Sequence, residues 1–142
     1  MPKHTIPAAA LAALLAAAPA AAQINAETFR DGRTADLAVL CAAPESDPML
    51  VAALAWCHGF LIGVGQYHGS TAAAGGPRKT LFCLPAPEPT LDEARTAFVR
   101  WVRSHPQHGP DRAVDGLLRF AVETYPCAPT PAAPTAAKRH HP

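Results

Sequence analysis

AWCHGFLIGVGQ, residues 55–66, reads as a greasy helix in spite of three glycines and an adjacent cysteine and histidine. Extended upstream, Leu50, Leu54, Cys57, Leu61 and Val64 recur every three or four residues, which is the repeat of one helix face. Asp47-Pro48 supplies the start, because the carboxylate can accept from the exposed first-turn amides and proline sits where no amide bond is needed. The helix is expected to run to about His68. Each internal glycine costs roughly 1 kcal/mol relative to alanine, so the glycines need a reason. Gly59 and Gly63 stand four apart on one face, which predicts a strip where a second helix packs closely, with a ligand-admitting groove as the other reading. Cys57 and His58 point about 100° apart as helix neighbours. They do not form a nucleophile–base pair, and Cys57 reads as half of a disulfide.

The same periodicity builds the rest of the domain. Residues from Gln23 to Arg33 read as an extended or frayed arm, after which Thr34 can cap a short helix carrying Leu37, Leu40 and Cys41, ended by Pro44. Residues 69–82, GSTAAAGGPRKTLF, hold too many glycines and small polar residues for a helix and read as the one long loop, which leads into the extended FCLPAPEP. Thr90-Leu-Asp-Glu93 is a capping box. It opens a helix with Ala94, Phe98, Trp101 and Val102 inward, stopped ahead of Pro106. HPQHGPD is a tight connection, and Asp111 can open a last helix with Val114, Leu117, Leu118, Ala121, Val122 and Tyr125, closed by Pro126. The fold class is all-α, a small helical bundle of four main helices.

The first 22 residues have a basic start, an alanine- and leucine-rich run and a small-residue triplet, the pattern of a secretory signal peptide. Cleavage is expected after Ala22, with Ala18 as the rival. No later stretch is expected to cross a bilayer, which takes roughly 18 uncharged residues. Losing Lys3 brings the 12 Lys and Arg to 11, equal to the 11 Asp and Glu. That neutral balance lacks the basic stripe of a nucleic-acid binder. The domain is expected over 23–127, with residues 128–142 a proline- and alanine-rich tail that cannot bury a core.

A domain this small gains from covalent cross-links, and export permits them. The four cysteines, Cys41, Cys57, Cys83 and Cys127, allow three connectivities. A helical hairpin brings the end of the first helix near the second, favouring Cys41 with Cys57, and likewise Cys83 with Cys127. His105, His108 and Asp111 form a metal-like spacing, but zinc needs three or four converging ligands and the loop's proline and glycine set no direction, so they read as turn residues with no metal. No phosphate-cradling glycine loop, nucleophile elbow or His-Glu-x-x-His is present. The chain is expected to be no enzyme and to carry no cofactor.

The order DLAVLC, CHGFLIGVGQ, FCLP, a capped helix ending RSHP and a closing helix ending YPC resembles the Tai/Rap immunity proteins of bacterial type VI secretion, over about residues 29–127. The resemblance implies a periplasmic all-α protein that binds a secreted effector, in the best-known cases a peptidoglycan amidase, and covers its active cleft. It also implies a possible homodimer, with no nucleic-acid or membrane partner. An inhibitor of this kind needs a rigid scaffold with a protruding segment, since ordering a loop on binding costs affinity. The candidates are Arg78 and Lys79 on the long loop and the turn holding His105, His108 and Asp111. The competing function is a periplasmic stress or chaperone-like helical protein.

Overall fold

The computed structural model describes residues 24–73 and 79–128. The leader, Arg78 and the tail beyond Ala128 lie outside them. The described residues form four α-helices, α1 Thr34–Cys41, α2 Leu50–Ala72, α3 Leu91–Ser104 and α4 Ala113–Thr124, with a 3-10 turn, Pro106–His108, between α3 and α4. Among the described residues there are no strands, only an isolated bridge between Arg33 and Arg112. The bundle is stapled as the hairpin argument expects, Cys41 to Cys57 and Cys83 to Cys127, with Sγ atoms 2.07 and 2.03 Å apart.

Short α1 lies at the centre and packs against each of the other three helices. Its Leu37, Ala38 and Cys41 meet Phe98, Trp101 and Val102 of α3 and Leu117, Phe120 and Ala121 of α4 in the main core, which Phe82 closes. A smaller core joins Ile24, Leu40, Ala43 and Ala53. The expected extended or frayed arm is folded instead. Asn25 Oδ1 accepts from the amides of Glu27 at 2.9 Å and Thr28 at 3.2 Å, making a turn that buries Ile24 and sets Phe29 edge-on to Trp56 at 5.9 Å.

Thr34 does not cap α1, because Arg33 holds that position, its amide donating to Asp36 Oδ2 at 3.3 Å. Thr34 is the first helical residue, fully buried, and its side chain works on α4. The hydroxyl donates to the carbonyls of Asp111 at 3.2 Å and Arg112 at 3.1 Å, while its amide donates to Asp111 at 2.8 Å. Gly116 makes room for it, since a Cβ there would sit 2.8 Å from Thr34 Cβ and closer still to its Oγ1 and Cγ2. On the other side Gly32, at φ +64°, turns its carbonyl to accept from the Ala113 amide at 2.7 Å. That left-handed conformation favours glycine.

The capping box of α3 forms as expected, with Glu93 accepting from the Thr90 amide at 2.8 Å and Thr90 Oγ1 accepting from the Glu93 amide at 3.2 Å. The Thr90 amide, and the Thr90 hydroxyl at 2.9 Å, both donate to the Glu93 carboxylate, which stabilises its ionised form and holds it below its ordinary pKa. α4 starts at Ala113 rather than at Asp111, whose carboxylate is turned to His108.

α2 departs most from expectation. Asp47 caps only a turn, accepting from the Met49 amide at 2.7 Å, and the helix begins at Leu50. It runs four residues past His68, because Ser70 and Thr71 fold their hydroxyls back onto the Tyr67 carbonyl at 3.0 and 2.9 Å and so do not break it. Of its 23 residues only Ala53 and Cys57 are buried. Gly59 and Gly63 do not serve close packing among the described residues, where a Cβ at either would meet nothing within 4 Å. The expectation that no later stretch is long enough for a bilayer is also corrected. α2 carries no Asp, Glu, Lys or Arg and is, by length and composition alone, long and apolar enough to cross a membrane. Here it is tied to α1 by Cys57 and packs against α1 and α3.

Candidate binding surface

The extended segment 79–90 runs between residues of α2 and α4. Phe82 plugs into the main core and stacks on His68 of α2 at 4.0 Å and 18°. The Leu81 amide donates to His68 Nε2 at 3.0 Å, which leaves the imidazole proton on Nδ1, and the Cys83 amide donates to the Tyr125 carbonyl at 2.9 Å. The segment is thus a strap, pinned at three consecutive residues and covalently at Cys83.

A depression opens on each side of the strap. The larger, about 560 Å³, has Leu61, Ile62 and Gly65 of α2 as one wall, Leu84 and Leu91 as the other, and Phe82, Leu117 and Phe120 as the floor. Glu88 stands on its rim. Tyr125 closes one end, and partial burial, with the charge of Glu93 adding to it, raises its phenol above the ordinary value. The smaller, about 260 Å³, lies between Val64, Tyr67 and Leu118, with Lys79 beside it. α2 adds exposed apolar surface: Val51 is 81% accessible, Tyr67 62% and Trp56 50%.

The expected contact residues do not form one site. Lys79 is exposed at the head of the strap, whereas Arg78 lies outside the described residues. The turn with His105, His108 and Asp111 sits at the start of α4 and is tied to α1, the Gly109 carbonyl accepting from the Ala35 amide at 3.0 Å. These histidines are half-buried rather than solvated. His105 stacks on Trp101 at 4.6 Å and His108 at 5.6 Å, and His108 Nδ1 is 2.9 Å from Asp111. Trp101 Nε1 donates to Glu123 at 2.6 Å. The turn is therefore anchored to its own scaffold through His105 Nδ1 and His108 Nδ1.

Among the described residues, no group of three or more His, Cys, Asp or Glu is arranged to hold a metal ion. His58 is half-buried beside Asp92 at 3.6 Å, with Nε2 making no hydrogen bond. The strap depressions escaped the sequence reading because residues 69–82 register only as a loop, although Leu81-Phe82 is an apolar pair beside a cysteine.

No curated protein and no solved structure matches the chain. A profile of the Rap1a immunity proteins does, over residues 33–127, a span that takes in all four helices, the strap and both disulfides. On that match across about two thirds of its length, the chain belongs to the Rap1a immunity protein family.

Proposed function

We propose that this chain is a periplasmic, non-enzymatic immunity protein that neutralises a peptidoglycan-hydrolysing amidase delivered by type VI secretion, by covering its active cleft. The observation that carries the reading is the family match over the whole described bundle. Two bridges in so small a domain accord with an oxidising compartment, and residues 1–22 supply the export signal, with 128–142 a tail outside the binding domain. The charge balance accords with a protein partner rather than nucleic acid.

Lys79 is the expected contact best placed for an effector, with Arg78 next to it in sequence. His105, His108 and Asp111 contribute from the second, more rigid surface. The uncharged outer face of α2, where Gly59 and Gly63 leave the backbone open, is the surface on which a second copy would pair. Neither role needs a membrane.

The test is co-expression, in the periplasm of a sensitive host, of this chain with the toxin encoded beside its gene. Survival of the host and a stoichiometric complex of the two purified proteins are expected. Lysis at equal expression, with no complex, would overturn the reading. The exposed apolar face of α2 also favours a chaperone-like role. Acid-induced binding of an apolar dye, together with suppression of client aggregation, would shift the assignment to it.

A further inference from the structure

The two disulfides differ in what surrounds them. Cys41 and Cys57 are both 0% accessible and lie inside the main core. Cys83 is exposed and Cys127 half-buried, outside either core, at the edge of the bundle where the strap meets the end of α4. Thiol–disulfide exchange needs a thiolate to reach a sulfur from outside. The buried bridge presents none without unfolding, whereas the outer bridge sits at the surface.

We propose that the Cys83–Cys127 bridge is a site of reversible thiol–disulfide exchange that latches and unlatches the strap, while Cys41–Cys57 is permanent. The co-reactant is a dithiol, either a small molecule or a thioredoxin-like protein. Its thiolate attacks Sγ of the more exposed Cys83. A mixed disulfide forms as the Cys83–Cys127 bond breaks, and the bond's electron pair leaves on Cys127, which takes a proton from water. The second thiol of the reductant then attacks its own partner sulfur, loses its proton and releases Cys83 as a thiolate that is protonated in turn. The chain gains two electrons and two protons, and the dithiol becomes a disulfide.

The structure confines the consequence to the strap. With the covalent tie gone, Phe82 burial and the amide bonds of Leu81 and Cys83 are what hold it. α1, α3 and α4 keep their mutual packing, and Cys41–Cys57 still fixes α2 to α1. Both depressions are lined in part by strap residues, Phe82 and Leu84 in one and Leu81 in the other. Unlatching therefore reshapes that face without dismantling the bundle.

The test treats the folded full chain with dithiothreitol, traps thiols with N-ethylmaleimide at intervals, and maps the labels by mass spectrometry. A two-label species at Cys83 and Cys127 is expected, appearing at least about tenfold faster than label at Cys41 or Cys57. In that species, amide exchange should rise over residues 79–90 and the second half of α2 and stay unchanged in α3. Cys83→Ser/Cys127→Ser should reproduce the exchange pattern of the reduced form and remain folded. Simultaneous labelling of all four cysteines would overturn the proposal. So would a two-label species with the exchange pattern of the oxidised protein, or global unfolding of the double serine variant.

Discussion

Gly116→Ala is the sharpest probe of how the bundle closes. The added methyl would lie 2.8 Å from Thr34 Cβ, against an optimum of about 3.5–4.0 Å between carbon atoms. Neither partner can turn away, because Cβ atoms move only with their backbones and Thr34 is anchored by its amide and hydroxyl to Asp111 and Arg112. α4 would have to back off by roughly 1 Å, loosening those bonds, each worth about 1 kcal/mol. Overpacking adds about 1–3 kcal/mol, and the better helix propensity of alanine returns about 1. The net expectation is a loss of about 2–3 kcal/mol, which in a domain of this size lowers Tm by about 10 °C or more. Urea denaturation followed by circular dichroism, with the disulfides intact, measures it. Thr34→Ser removes Cγ2 while keeping the hydroxyl and should recover part of the loss in the double variant, giving a measurable coupling energy. A Gly116→Ala protein as stable as the parent, or two substitutions with purely additive effects, would refute the idea that Gly116 exists to admit Thr34.

Gly63→Ala should act in the opposite sense, since its Cβ meets nothing within 4 Å: a gain of about 0.5–1 kcal/mol is expected in the same assay. Should sedimentation show a dimer, Gly63→Ala or the bulkier Gly63→Leu should weaken it while leaving the monomer folded. Thr90→Ala should cost about 1 kcal/mol through the lost cap, read by thermal melting. The cap also carries a pH signature: the folded-state pKa of Glu93 is depressed, so its contribution is complete above the unfolded value of about 4.3 and is lost as pH falls through the lower folded value. The stability gap between the parent and Glu93→Gln should therefore narrow from pH 6 to pH 3, and a gap that widens would contradict the assignment. Trp101→Phe, which removes the donor to Glu123, should cost about 2–3 kcal/mol, whereas Glu123→Gln, which keeps an acceptor, should cost under about 1.

The features written in adjacent residues were readable from the sequence. Thr90 and Glu93 sit three apart and specify their own helix start, and the hairpin order of the helices suffices to pair Cys41 with Cys57 and Cys83 with Cys127. What escaped depends on partners distant in the chain. Thr34 is chemically a good cap, and nothing local says that the start of α4 will claim its hydroxyl. Phe120, 3% accessible, went unread although it is central to the core. Gly59, Gly63 and Gly116 are alike in sequence, yet one faces a buried threonine and two face open space. The end of α2 was lost for a different reason: Ser70 and Thr71 are poor helix formers in isolation, and here their hydroxyls turn back on the helix itself. The strap depressions were the least readable part, because their linings are drawn from α2, the strap and α4, which lie far apart in the chain, rather than from any motif.

The shortest helix has a consequence for how this chain can come into being. At eight residues, α1 is well below the roughly 12–15 at which a lone helix becomes even marginal in water, yet it is the common neighbour of the other three. No half of the molecule can mature first and wait for the rest, because the piece both halves need does not exist until they surround it. Assembly should therefore be all-or-none for the helices. N-terminal truncation should be tolerated up to Ile24, and beyond that the whole bundle should fail together, with no stable fragment left behind.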